Sequence, residues 1–177
     1  MKFTELEIEG VWLIEPVRHG DSRGYFFESF RADEFACATG VERPFVQDNE
    51  SMSRRGVLRG LHFQRGEAAQ SKLVRVSRGR VYDVAVDLRP GSRTFGKYVG
   101  VELSGENGRQ LYIPRGCAHG FLVLSDEAQF QYKVDNYYCP DAEGAIRYDD
   151  PTIGVAWPSE GLTLILSEKD LRAPFLK

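Results

Sequence analysis

Short apolar runs punctuated by turn chemistry organise this chain from end to end. The stretches "HGDSRG", "SRRG", "SRGR", "RPGSR", "SGENG" and "PRG" recur at close intervals, and between them lie runs rich in Val, Tyr, Phe, Leu and Ile. β-Branched and aromatic residues fit a pleated, half-buried surface, while Gly, Pro, Asp, Asn and Ser mark reversals. The pattern therefore predicts many short strands of an all-β sandwich or barrel. The clearest period of two falls in "KLVRVSRGRVYDVAVDLRP", where Val81, Asp83, Ala85 and Asp87 alternate with Tyr82, Val84, Val86 and Leu88. With its internal Gly-containing turn, this segment reads as an antiparallel hairpin. "RQLYIP", "HGFLVLS" and "AQFQYKVDNYY" read as further strands. Two stretches depart from the β pattern. "RADEFACATG" predicts a short helix closed by Gly40, and "SEKDL" a helix start capped by Ser167. No repeat, low-complexity tract or linker interrupts the chain, so residues 1–177 are expected to form a single all-β domain, an antiparallel barrel or jelly roll with a few short helices.

Composition narrows the function. With 42% hydrophobic residues the chain can bury a sizeable core, and 12% aromatics point to an aromatic-lined interior. A net charge of −3 argues against a nucleic-acid binder, while leaving room for a local basic site for one phosphorylated small molecule. Cys37, Cys117 and Cys139 are an odd, unpatterned set and read as buried free thiols rather than a disulfide framework. "MKFTELEIEGVWLIEP" carries acidic residues through its apolar stretch and lacks the basic start of a signal peptide. No apolar run approaches the ~20 residues of a membrane span. A cytoplasmic protein without a membrane partner is expected.

The candidate chemistry lies in "GVLRGLHFQ" and "GRQLYIPRGCAHG", which hold His62 and His119, two of three histidines. Gly108, Pro114, Gly116 and His119 are spaced as in the second half of the metal-binding motif of cupin barrels, with Val123 where an Asn is usual. The first half is similar in altered form: Gly56, then His62, then Gln64 at the next ligand position, then Lys72 in place of the acidic ligand and Gly79 to close it. Gln is a weak neutral ligand, and an ammonium has no lone pair to give a cation, so no metal is expected. A fixed ammonium in a pocket can instead stabilise a developing oxyanion, and an imidazole freed from metal can act as a base. Together they suffice to remove a proton beside a carbonyl. His119 reads equally as a pocket-lining or a structural residue.

A longer set of blocks closely resembles one family. "DSRGYFFESF", "VQDNESMSRRGVLRGLHFQ", "QSKLVRVSRGRVYDVAVDLRPGSRTFGKY", "IPRGCAHGFLVLS", "QYKVDNYYCPDAEGAIRYDDP" and "LSEKD" look like the dTDP-4-dehydrorhamnose 3,5-epimerases, from about Asp21 to Asp170. The resemblance implies a cupin-like fold and a cofactor-free epimerase acting on a dTDP-4-keto-6-deoxy sugar, whose C4 ketone acidifies the protons on C3 and C5. It implies His62 as base, Tyr132 as acid, Lys72 as stabiliser of the C4 enolate and Asp170 as the partner of the base. It also implies substrate contacts from Arg23, Arg59, His119, Glu143 and Lys169, nucleotide contacts from Glu28, Gln47 and Asn49, and Tyr138 stacked on the thymine. The chemistry agrees: inversion needs two proton-transfer groups on opposite walls, a phenol holds its proton at neutral pH, and a carboxylate behind a histidine fixes its tautomer. Read locally, Tyr132 is equally a packing residue, and Asp170 equally the residue that completes the cap begun by Ser167.

One position departs from the family pattern. An aromatic usually precedes the "GD-RG" block, and this chain has His19 there, which leaves the nucleotide packing open. The family also implies a homodimer with exchanged N-terminal segments, for which "FTELEIEGVWLIEP" supplies an edge strand. Three other readings remain at this level. One is a mono-epimerase acting at C3 or C5 alone. The others are a non-catalytic cupin that merely binds a sugar nucleotide, and a metal-dependent cupin enzyme.

Overall fold

A computed structural model describes residues 1–176. In chain order its elements are β1 (Lys2–Glu5), β2 (Trp12–Glu15), β3 (His19–Asp21), β4 (Gly24–Phe26), α1 (Ala32–Thr39), β5 (Gln47–Arg54), β6 (Leu58–Gln64), β7 (Lys72–Arg78), β8 (Arg80–Asp87), β9 (Tyr98–Ser104), β10 (Gln110–Ile113), β11 (Cys117–Val123), β12 (Glu127–Val134), β13 (Glu143–Ala145) and α2 (Glu168–Leu171). Two antiparallel sheets face each other. The first runs β1-β2-β10-β7-β12-β5 and the second β13-β6-β11-β8-β9, while β3 and β4 pair only with each other. This is the predicted cupin-like jelly roll.

Three apolar layers hold it together. Val74, Val76, Leu111 and Phe130 of the first sheet meet Val81, Ala85, Leu103 and Phe121 of the second in the space between them. α1 lies over the outer face of the first sheet, where the Phe35 ring packs 5.1 Å from that of Tyr112. The C-terminal segment covers the outer face of the second sheet, with Ile146, Ile153, Val155 and Trp157 packed on Leu61, Val84, Val86 and Ala118. Both faces of β8 are therefore buried, and its period of two separates two cores rather than core from water. The predicted ends of α1 and α2 are present: Gly40, at φ 72°, donates its N–H to Ala36 O, and the Ser167 hydroxyl accepts from Asp170 N–H.

The hairpin predicted from "KLVRVSRGRVYDVAVDLRP" is absent. β7 pairs with β10 and β12, and β8 with β9 and β11, so the turn carries the chain from one sheet to the other. Gly79 permits the crossing. It sits at φ 80°, and a Cβ there would fall 2.6 Å from Ser125 Oγ and 2.9 Å from Ala128 Cα. The strand read as "AQFQYKVDNYY" ends at Val134, because the next residue, Asp135, turns its carboxylate onto Ser71 N–H and Arg115 Nε.

The β8–β9 connection is pinned by Asp87, which is fully buried. Its carboxylate accepts from Arg89 N–H, Nε and Nη2 at 2.9–3.0 Å, from Ser92 Oγ at 2.5 Å and from Thr94 Oγ1 at 2.6 Å. Burial alone would raise this carboxyl; the Arg89, Ser92 and Thr94 hydrogen bonds outweigh it and hold the group far below the ordinary carboxylate range. A depressed value in the folded state stabilises the fold above the unfolded value near pH ~4 and is lost as pH falls below it. Asp87→Asn leaves a half-buried guanidinium and two hydroxyl donors without their carboxylate, so denaturant unfolding at pH 7 is expected to show a loss of roughly 3 kcal/mol. The gap between variant and parent should shrink steadily on acidification below pH ~4.

Candidate active site

A cavity of about 570 Å³ opens between the sheets. The second sheet contributes Arg59, His62, His119 and Phe121, and the first Asn49, Lys72, Phe130 and Tyr132; Ser167 and Asp170 close one side. β6 and β11 set His62 directly opposite His119 in the antiparallel register. Their backbones approach closely at Gly60 and Gly120, where a Cβ on Gly60 would fall 2.5 Å from Gly120 Cα. Each histidine has its own carboxylate.

His62 Nε2 lies 2.5 Å from Asp170 Oδ1. Ser167 Oγ donates to Asp170 Oδ2 at 2.7 Å while accepting Asp170 N–H at 3.1 Å. Asp170 thus serves the helix cap and the histidine together, which resolves the choice left open by local sequence. Leu58 N–H to Ile165 O and Ile165 N–H to Gly56 O tie the segment before α2 to the start of β6, bringing residues 108 apart in sequence into contact. Burial raises the Asp170 carboxyl, but its bonds to His62 and Ser167 dominate and hold it below the usual range. An ionised Asp170 accepts a hydrogen bond from His62 Nε2–H, which leaves the Nδ1 lone pair free to act as a base.

Across the cavity, the Lys72 ammonium lies 5.9 Å from the centroid of the Tyr132 ring. Burial lowers Lys72 to about 8, against the opposing charges of Asp83 and Glu143. Burial also raises the Tyr132 phenol, with the Arg59 charge working the other way. The phenol keeps its proton at neutral pH, and Arg59 favours the phenolate left after donation. Arg59 is itself steered by Nε to Ser53 Oγ, 3.0 Å.

The other predicted residues fall into two groups. Gln47 Nε2 donates to Asn49 Oδ1 at 2.8 Å, and Gln47 Oε1 accepts from Tyr138 N–H, so these three form one patch at the β5 edge beside the cavity. Glu143 and Lys169 are ion-paired, and hydrogen bonds from Lys169 and Tyr138 outweigh burial to lower the Glu143 carboxyl. Arg23 and Glu28 stand apart. Arg23 is exposed and pairs with Asp21 at 2.6 Å, Glu28 faces Arg31 at 4.0 Å, and neither lines the cavity of its own chain. His19 pairs in register with Phe26 on the same separate hairpin.

Sequence reasoning missed Asp83. It is fully buried, and its Oδ2 lies 2.9 Å from His119 Nε2. The available signal was an aspartate in the inward-facing half of an apolar alternation. Burial lowers His119, a shift that Asp83 opposes. Phe130 stacks on His119 with centroids 5.7 Å apart, and Phe121 stacks on Phe130 at 4.1 Å, forming an apolar wall.

The donors do not fit the metal held by many cupins. Gln64, at a ligand position by spacing, spends its amide on Ala68 O, Tyr137 O and Cys139 N–H and does not line the cavity. Lys72 brings a positive charge where a carboxylate ligand is needed. Among the described residues no group of three His, Cys, Asp or Glu side chains is arranged to hold a metal ion. A second hollow, about 340 Å³, lies largely on the outer face of the first sheet. Its polar side chains are already partnered: Lys133 is ion-paired with Asp48, and Gln131 donates to Glu50 and accepts from Arg75.

A cupin barrel with a histidine–carboxylate pair on one wall and a half-buried lysine and tyrosine on the other has the equipment of an enzyme that moves protons at carbon. Residues 5–177 match the sequence profile described as dTDP-4-dehydrorhamnose 3,5-epimerase. The chain is 55% identical over 172 residues to the dTDP-4-dehydrorhamnose 3,5-epimerase of Escherichia coli (strain K12), covering 97% of this chain and 92% of that protein. It superposes on the crystal structure of dTDP-4-dehydrorhamnose 3,5-epimerase from Elizabethkingia anophelis NUHP1 with a TM-score of 0.95 and 49% identity, covering 99% of this chain and 96% of that one. For dTDP-6-deoxy-D-glucose-3,5-epimerase from Legionella pneumophila Philadelphia 1, solved in complex with dTDP-4-keto-L-rhamnose, the TM-score is 0.94 and the identity 49%, covering 98% and 92%. The chain belongs to the dTDP-4-dehydrorhamnose 3,5-epimerase family and is an isomerase.

Proposed function

We propose that this enzyme inverts C3 and C5 of dTDP-4-keto-6-deoxyglucose, giving dTDP-4-keto-L-rhamnose, without a cofactor. One observation carries the assignment of roles: His62 and Tyr132 come from facing sheets and line the same cavity. His62 Nδ1 removes the proton beside the C4 ketone, and the C–H electron pair moves onto the carbonyl oxygen. The enolate is stabilised by the Lys72 ammonium in a water-poor pocket. Tyr132 O–H then delivers a proton to the opposite face as the enolate collapses back to the ketone. Proton exchange with solvent resets the imidazolium and the phenolate. The Legionella relative's bound dTDP-4-keto-L-rhamnose supports this substrate class.

Arg59, His119, Glu143 and Lys169 are read as contacts to the sugar and pyrophosphate, and Gln47, Asn49 and Tyr138 as contacts to the nucleotide. Arg23 and Glu28 would reach the site of a second copy. Their hairpin, β3–β4, joins neither sheet and exposes Tyr25 and Phe26. A lone two-stranded hairpin is marginal in water, which supports a homodimer in which a partner covers it. β1 is the outermost strand of its sheet and pairs with β2 of its own chain. Among the described residues no helix is long and apolar enough to cross a membrane. We place the enzyme in the cytoplasm, without membrane or nucleic-acid partners.

Incubation with dTDP-4-keto-6-deoxyglucose in D₂O is expected to label product at both C3 and C5, read by NMR. Label at a single carbon would instead make this chain a mono-epimerase.

A further inference from the structure

Two charges, one at the cavity wall and one behind it, have partners that are not obvious. Lys72 makes no ion pair within 4.0 Å among the described residues, although it sits in a pocket that penalises its charge. On the facing sheet, Asp83 points into the interior with Val81 and Ala85. Its Oδ2 is used by His119, and its Oδ1 is buried with no hydrogen-bond partner. An uncompensated buried carboxylate is costly, and so is an uncompensated buried ammonium. Lys72 and His119 line the one cavity from facing sheets, and Asp83 stands directly behind His119, 2.9 Å from its Nε2; its charge there opposes the lowering of Lys72 by burial.

We propose that Asp83 is a positioning residue: its buried carboxylate keeps Lys72 an ammonium across the barrel and holds His119 as a neutral ring with its proton on Nε2. The other groups around Lys72 do not take this role. Glu143 of β13 is committed to Lys169, and Asp170 of α2 to His62 and Ser167. His62 and Arg59 of β6 and His119 of β11 add no negative charge, and Tyr132 of β12 is neutral. Glu50 of β5 also borders the cavity but is exposed and accepts from Gln131 Nε2; Asp83 is the buried carboxylate with an oxygen left over. Its proton donor, His119, presents Nδ1 as an acceptor, suited to a sugar hydroxyl.

The proposal rests on Lys72 acting as a cation in the reaction assigned above, but its test does not need turnover. The full-length protein labelled with [ε-¹³C]lysine is titrated by NMR, with the Lys72 resonance identified by its loss in Lys72→Met. Asp83→Asn keeps the acceptor for His119 and removes the charge. Its Lys72 midpoint is expected to fall by about one pH unit or more. The alkaline limb of kcat/KM should move down with it, while the melting temperature stays level or rises. Asp83→Ser serves as a second charge-free variant and should shift the midpoint in the same direction. An unmoved midpoint in both variants, with a lowered melting temperature, would assign Asp83 to structure alone and overturn the proposal. A shifted midpoint in a protein that leaves the 4-keto sugar nucleotide untouched would uphold Asp83 and sink the substrate assignment instead.

Discussion

Lys72→Met is expected to lower kcat by about 10³-fold while making the protein more stable. Met keeps the length of the side chain and its packing beside Tyr132 but removes the only feature the enolate needs. Loss of a single preorganised stabilising group in an oxyanion site costs ~10²–10³ in rate, and Lys72 acts where a cupin metal would otherwise supply the charge. Stability moves the other way. A lysine held at about 8 in the fold and near 10.4 when unfolded favours the unfolded state wherever it is protonated. Removing it should raise stability at pH 7 by up to about 3 kcal/mol, a gain that vanishes above pH ~10 where both states are neutral. A residue kept for structure would not show opposite signs in activity and stability. The same value predicts that the parent enzyme loses kcat as pH rises through about 8. Rate measurements from pH 6 to 10, with melting curves on both proteins, check each part.

His62→Ala is expected to reduce kcat by at least ~10²-fold, the usual consequence of removing a general base. The geometry sharpens this. Asp170 is buried, already bonded to Ser167, and within 2.5 Å of His62 Nε2, so its contribution passes through the imidazole. Tyr132 sits on the facing sheet, and the proposed mechanism gives it a different step. Loss of His62 should therefore stop hydrogen removal itself, whereas Tyr132→Phe should leave removal possible and block delivery to the opposite face. A shared packing role would slow both steps alike.

Most of the architecture was written in local patterns. The αL glycine after Thr39 and the Ser167 cap are contacts between near neighbours, so a short window suffices to read both helices. The strands were legible for the same reason, but their pairing was not. A Gly-containing turn announces a reversal without saying which sheet the next strand joins, and β7 and β8 separate because each finds better partners far along the chain. Alternation in β8 marks two faces without saying what covers each; the C-terminal segment that covers one of them lies about 70 residues away.

The site was legible where spacing carries chemistry. His62, Lys72 and His119 sit on β6, β7 and β11 at intervals set by the fold, so the replacement of an acidic ligand by lysine can be read directly. Asp83 could not be found in this way, because its meaning depends on His119 36 residues on and on a buried oxygen left without a partner. The orientation of Gln64 was equally hidden, since its amide is consumed by the Cys139 and Ala68 backbone. Arg23 and Glu28 carry family-motif positions in and just after a hairpin that does not line the cavity, a placement no local pattern reveals.

The most direct test follows hydrogen at carbon rather than product. Parent, His62→Ala and Tyr132→Phe are each incubated with dTDP-4-keto-6-deoxyglucose in D₂O, and recovered sugar nucleotide is analysed by NMR for label and configuration. The two-wall account predicts no label from His62→Ala, and label with configuration retained from Tyr132→Phe. Deuterium entering as fast without His62 as with it, or full inversion without the Tyr132 hydroxyl, would contradict it.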